Sequence, residues 1–413
     1  MIEKVALVWP EIVLFVTTCV VMLTGQWPAT AVRRMTPWLA AVGLIGALGA
    51  AMGSPRAGGM FPDLVPFAKS LTALVGLMLL PLIVGTVDRD MEAAADRGQR
   101  FEPIRSNGGE FYAFFLFSLT GLMLVASADS LIWLFLALEL TSLPTYIMVS
   151  ISTRNPRSQE AGVKYFFLGA LGAAIFLYGF ALLYGASGTT DIPEIAARFA
   201  AGGMGPIGTL GVMVALIGMS FKIAAVPMHF YTPDVYQGAA SPVSAMLAFV
   251  PKAAGFLGIF HVAGVAGWGP GGVGLPLPVE ALLWVVAALT MTVGNTLALL
   301  QTSIKRMMAY SSIAHSGYML VGIVAGPGPD GAPFWRHGLA AVLFYLLCYG
   351  VMNAGVFAVL ACLERRGEEA DDIDDVRGLV RSHPHLGWSM VLCCLSLLGF
   401  PPQRGVQLLP RIV

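Results

Sequence analysis

The stretch FKIAAVPMHFYTPDVYQGAASPVSAM, Phe221 to Met246, and the PKAAGF that follows at Pro251 to Phe256 set two lysines, Lys222 and Lys252, in otherwise apolar sequence. A charged side chain at the bilayer centre costs about 2.5–3.5 kcal/mol on insertion scales, so such a lysine faces a protein interior, a partner or a water-filled path. A third ionisable group joins them: Glu139, midway along LIWLFLALELTSLPTY, Leu131 to Tyr146. One acid and two bases on separate helices lower each other's burial cost by pairing, and a buried lysine switches protonation when its acid moves or titrates. That is the chemistry of a proton relay. The alternative is a static ion pair that only fixes helix packing.

Of the 413 residues, 57% are hydrophobic and 12% charged, where soluble domains carry roughly 25% charged, which excludes a water-soluble globule. Lys plus Arg equals Asp plus Glu at 24 each, so no net charge draws in nucleic acid or a charged partner. Runs near the ~20 apolar residues that cross a bilayer predict an all-α polytopic membrane protein. About twelve spans are expected: Ala6–Gly25, Pro37–Gly53, Lys69–Val87, Phe111–Ala128, Ser130–Ile151, Ala161–Gly185, Gly205–Tyr231, Ala240–Val265, Leu277–Leu300, Ser303–Gly326, His337–Leu363 and Gly387–Phe400.

The first run has no basic leader and holds Glu11, so it reads as a retained helix and not a signal peptide. Cys19, Cys348, Cys362, Cys393 and Cys394 lie in apolar runs without a CxxC pair, and read as buried apolar thiols. Alternating spans divide the loops into two sets. One holds only Lys4, Arg56, Lys69, Arg198 and Arg336, while fifteen cations, among them Arg33, Arg34, Lys164, Lys305 and Arg306, fall in the other. The rich set belongs in the cytoplasm, which puts the N-terminus outside.

The charged loop Asp88 to Glu110 separates three N-terminal helices from the rest, and Glu364 to Leu386 reads as a solvated connector or a short surface helix. Pro227 and the Pro401–Pro402 pair break two spans at comparable places, a pattern that points to an ion pathway in inverted repeats of five helices. The expected organisation is residues 1–110 as an N-terminal segment, 111–265 as a first half-channel repeat and 266–413 as a second, incomplete one.

His229, His261 and His315 fall in or near three different spans and can exchange protons near neutral pH; helix–helix hydrogen bonding is the plainer reading. Paired haem ligation by two of them has no second signature. Ser311, Ser312 and His315 share a helix face near Tyr310 and Tyr318, as polar residues lining a hydrated path would. Lys222 and His229 are seven apart and would share a face of an unbroken helix, but Pro227 is expected to break it. Glu160 and Lys164, at i and i+4, form a surface pair or a proton entry. No phosphate loop, nucleophile–base pair or metal cluster is apparent.

These motifs, with IKRMMAYSSIAHSGYMLVGI at Ile304 to Ile323, resemble the antiporter-like membrane subunits of respiratory complex I, over Leu7 to Pro402. The resemblance implies inverted five-helix repeats in a multi-pass subunit of the bacterial inner membrane. It implies a proton-translocating part of NADH:quinone oxidoreductase, with no redox chemistry, cofactor or metal in this chain. NADH, flavin, iron–sulfur clusters and quinone would belong to partner subunits, which include related antiporter-like chains. By the same resemblance Glu139 is the acid of the fifth helix, Lys222 the lysine of the broken seventh and Lys252 the relay lysine of the eighth. Tyr231 and Gln237 stand where the family often has Trp and Glu. After LSLLGFPP the family continues through a lysine-bearing helix and two more, whereas this sequence reads QRGVQLLPRIV, as a truncated or frameshifted gene would. Two alternatives stay open: a subunit of a cation/proton antiporter complex, and a structural, non-conducting chain.

Overall fold

The computed structural model describes residues 6–54, 61, 64–98, 102–153, 155–268, 274–327, 337–364 and 371–399. The break expected at Pro401–Pro402, the divergent tail, and the loop cations Lys4, Arg56, Arg100, Arg154, Arg336, Arg365 and Arg366 lie outside these residues.

The chain is an all-α polytopic membrane protein. Its longer helices are α1 Trp9–Gly25, α2 Thr36–Met52, α3 Leu64–Ile83, α4 Gly108–Ala126, α5 Leu131–Ile151, α6 Pro156–Ser187, α7 Gly205–Ser220, α8 Ser241–Ala263, α9 Leu277–Ala298, α10 Ile304–Ala325, α11 Gly338–Leu363 and α12 Pro384–Leu397. Among the described residues eight helices are long and apolar enough to cross a membrane, namely α2 to α6, α8, α9 and α11, while α1, α7 and α12 are shorter. α10 has the length, but it carries Lys305, Arg306, His315 and three serines.

Every residue of α8 is buried. A helix apolar all round belongs at the centre of a bundle or in lipid, and here it is central, touching α4, α5, α7, α10 and α11. Outward faces such as Trp38, Phe167 and Tyr178 are exposed. Cys19 and Cys362 are exposed too, which corrects the expectation of buried thiols: an apolar surface accepts a thiol without burying it.

Two short antiparallel bridges share one hydrogen-bond pattern. At Ser130 and Asp191, Leu131 N donates to Thr190 O (2.8 Å) and Ile192 N to Asp129 O (2.9 Å). At Ser303 and Asp372, Ile304 N donates to Asp371 O (2.6 Å) and Ile373 N to Thr302 O (3.1 Å). Each serine also caps the helix it precedes, α5 or α10, by accepting from a backbone N–H three residues on, the usual N-cap role of serine.

Two sequence expectations need correction. The seventh span does not run to Tyr231: α7 ends at Ser220 and turns occupy residues 221–231 before a short helix, Thr232–Gly238. Proline lacks an N–H and its ring would meet the carbonyl of Ile223, four residues earlier, so no regular helix runs on through Pro227, and α7 has already ended seven residues before it. Lys69 is no loop cation but a buried residue of α3, and Lys305 is buried at the start of α10. The loop that starts at Asp88 is tied to α4 by that aspartate, whose Oδ2 accepts from Ser106 Oγ, Asn107 N and Gly108 N at 2.7–2.8 Å and so caps the helix.

Candidate functional site

α5 brings Glu139 and Ser142 to one face, three residues apart, opposite the turns that follow α7. Lys222, at the second residue of those turns, donates to Glu139 Oε1 at 2.9 Å and Ser142 Oγ at 2.6 Å, with Leu138 O at 3.4 Å. An ammonium has three hydrogens to give, and each finds an acceptor. The Phe176 ring of α6 lies 5.7 Å from the same nitrogen. Lys222 is 2% exposed and Glu139 17%, so this is a nearly dry ion pair.

Lys252, midway along α8, donates to Ser312 O and, at 2.7 Å, to Ser316 Oγ, both on α10. The Tyr349 ring of α11 lies 5.5 Å away. Among the described residues no carboxylate pairs with Lys252. Between the lysines is a cavity of about 10 Å³, lined by both of them and by Tyr165, Tyr231, Thr232 and Tyr236, at the lower limit for one water. Thr232 Oγ1 is buried, with no hydrogen-bond partner in good geometry among the described residues. Pro251 also lines the cavity, and its missing N–H denies the Leu247 carbonyl its ordinary helical bond.

The break itself is held from several sides. Tyr231 donates its hydroxyl to Phe221 O at 2.8 Å and stacks on Tyr165 at 5.0 Å, while Val226 N donates to Thr290 Oγ1 of α9 at 3.0 Å. Gly179 and Gly218 let α6 and α7 approach closely, since a Cβ on Gly218 would sit 2.3 Å from Phe176 N.

Among the described residues none of the three histidines hydrogen-bonds to Lys222 or Lys252, although His315 is near enough to Lys252 to feel its charge. His315 Nδ1 lies 2.6 Å from Tyr345 Oη and His261 Nε2 3.0 Å from Val125 O, so both serve helix contacts. His229 packs on Phe230 and its Nδ1 has no partner among the described residues. It shares no helix with Lys222, because the break begins before the lysine. Of the serine face, Ser312 reaches the site through its carbonyl, and its Oγ lies 3.2 Å from Tyr236 Oη.

Three charged groupings reach beyond the sequence reading, which named only the Glu160–Lys164 pair among them. Asp234 joins Lys164 of α6 (2.8 Å) to Arg306 of α10 (2.7 Å), and Lys164 also meets Glu160 at 2.8 Å. Burial opposes ionisation of Asp234, but hydrogen bonds from Lys164 and Arg306 outweigh it and hold the carboxyl below its ordinary value. Gln237, beside it, accepts from Arg306 and donates to Asp371. Glu11 and Lys69 form a second buried pair, 2.7 Å apart. Lys305 lies 3.6 Å from Glu364. Sequence alone gives no distances between helices, so only the charge of each residue was available as a signal. Among the described residues no group of three or more His, Cys, Asp or Glu is placed to hold a metal ion.

A lysine at a helix break with its acid on the neighbouring helix, inside a polytopic bundle, defines an antiporter-like membrane protein. The model of the family "NADH:quinone oxidoreductase/Mrp antiporter, TM" matches residues 128–408, and the chain belongs to that family. NADH-quinone oxidoreductase subunit N of Trichlorobacter lovleyi is 36% identical over 96% of this chain and 78% of that relative. A chain of respiratory complex I from Thermus thermophilus superposes with a TM-score of 0.73 at 33% identity, over 95% of this chain and 79% of that one. A chain of the Mrp complex from Dietzia sp. shares the fold alone, with a TM-score of 0.76 at 20% identity, over 100% and 74%.

Proposed function

We propose that the chain is a proton-translocating membrane subunit of an NADH:quinone oxidoreductase, and that Glu139, Lys222 and Lys252 are its relay. Electron transfer takes place in partner subunits, which hold the NADH, flavin, iron–sulfur and quinone sites. The observation that carries this reading is the Glu139–Lys222 pair at the helix break, with Lys252 across a water-sized cavity. While Glu139 stays close it balances the Lys222 ammonium; when it takes a proton or swings away, that charge is left uncompensated and its proton can pass towards Lys252.

The two matching bridges support inverted five-helix repeats within about twelve spans. With alternating spans, the starts of α5 and α10 fall on opposite sides of the membrane. Glu139 stands nine residues after Ser130 and Ser312 nine after Ser303, so a serine occupies in the second repeat the place of the acid in the first. The meeting of Lys164 and Arg306 at Asp234 supports one cation-rich, cytoplasmic side, an outside N-terminus and a bacterial inner-membrane location. The assembly partners are other antiporter-like membrane subunits.

The test is Lys222→Ala in the assembled complex. Proton translocation per NADH is expected to fall while the complex still assembles, and translocation at the full ratio would overturn the reading. The family description also covers Mrp antiporters, which favours a cation/proton antiporter complex as second reading. Sodium-dependent transport without NADH-linked activity would establish that one instead.

A further inference from the structure

Ser316 stands between the two lysines. Its Oγ lies 2.7 Å from Lys252 Nζ, 2.5 Å from the carbonyl of Ile223, the residue after Lys222, and 3.2 Å from Ser312 O. A serine hydroxyl has one hydrogen to give and two lone pairs. A charged Lys252 only donates, so it uses a lone pair of Ser316 and leaves the hydroxyl hydrogen for Ile223 O, the nearer carbonyl. A neutral Lys252 keeps two N–H hydrogens and gains a lone pair; when a hydrogen stays on Ser312 O and the lone pair turns to Ser316, the amine accepts the hydroxyl hydrogen and leaves Ile223 O without its donor. No bond to hydrogen breaks in this exchange; the hydroxyl rotates about Cβ–Oγ.

We propose that Ser316 is a positioning residue whose hydroxyl sets the hold on the turns at 221–231 according to the protonation of Lys252. The inference rests on the relay reading, because it needs Lys252 to change protonation. A buried carbonyl that loses its donor is unfavourable, so the segment that carries Lys222 loosens when Lys252 is neutral. Proton loss at one lysine thereby changes the backbone that aims the other. The titratable groups around Lys252 are Lys222, Tyr165, Tyr231 and Tyr236 across the cavity, Tyr349 on α11 and His315 on α10. Their own response to pH must be subtracted, and the Ser316 variant supplies that baseline.

The test is hydrogen–deuterium exchange in the assembled complex, read at the amides of Ala224, Ala225 and Met228, which donate to Phe221 O, Ser220 O and Ala225 O. In the native chain their protection is expected to fall about fivefold or more as pH rises through the titration of Lys252, a local opening far short of unfolding. In Ser316→Ala protection is low and flat with pH, in Lys252→Met it is high and flat, and Ser316→Thr restores the pH dependence. Should the threonine variant not assemble, the other three chains still decide. A Ser316→Ala chain with native pH-dependent protection, or a native chain with none, overturns the proposal. Failure of the relay reading is seen separately, as full proton translocation by Lys252→Met.

Discussion

Lys222 and Glu139, 83 residues apart in sequence, meet at 2.9 Å between a helix break and the middle of α5. Removing one partner of a buried pair leaves an uncompensated charge, at a cost of about 3–5 kcal/mol. Because Lys222 keeps Ser142 and Leu138 as acceptors, the lower end of that range is expected for Glu139→Ala. Thermal denaturation of the complex should show a clear loss for Glu139→Ala and recovery in the double variant with Lys222→Met. Equal loss in both would mean that the pair is not coupled.

The Glu11–Lys69 pair makes the same argument away from the relay. Both side chains are buried, at 3% and 0% exposure, and Lys69 also donates to Leu7 O at 2.6 Å. Lys69→Met alone should destabilise the link between α1 and α3 by about 3 kcal/mol, and pairing it with Glu11→Leu should return most of that. Proteolysis of the N-terminal segment in the assembled complex reads the difference. Proton translocation in the double variant should match the native ratio, since neither residue touches the lysine cavity.

Gly218 is where α7 lies against the backbone of Phe176. Close approach of small residues is a main source of helix association in membranes, and Phe176 is also the ring nearest Lys222. Gly218→Val should push α7 off α6 and lower both assembly and proton translocation. Gly185→Ala, which meets nothing within 4 Å, should change neither. A Gly218→Val chain with native translocation would show that the close approach does not position the lysine.

Asp234 gives a pH dependence. Its carboxyl is held below the ordinary value of 3.8 by Lys164 and Arg306, so the stability it contributes is fully present above that value. It is lost as pH falls through the lower, folded-state value. The aspartate is 36% exposed, and solvent screening limits its worth to about 0.2–1 kcal/mol. Asp234→Asn should lower the denaturation midpoint slightly at pH 6–7, and the gap from the native chain should narrow as pH falls below 3.8, closing only beneath the lower folded-state value. A gap that widens on acidification would contradict the assignment.

The three residues at the centre of the site were legible because each is a charge in apolar sequence, a costly arrangement that stands out without any partner in view. Lys69 was misread for the opposite reason: near the end of an apolar run, a lysine looks like a loop cation until the helix is seen to begin at Leu64. The place of the break was half legible, since Pro227 announces a break but α7 has already ended seven residues before it. Ser316 carried no signal at all, because serines are ordinary in membrane helices and only distance separates this one from its neighbours. The central position of α8 was equally hidden, as apolar residues face protein and lipid alike.

Glu139 and Lys222 sum to zero charge, whereas Lys252, when protonated, is a single uncompensated charge midway along a fully buried helix. A charge at that depth lies within the electric field of an energised membrane, where crossing the full thickness is worth about 2.3 kcal/mol per 100 mV. At half depth, 100 mV would change the occupancy of Lys252 by about sevenfold, while the neutral pair beside it feels little until it separates. The voltage that pumping builds therefore bears first on Lys252.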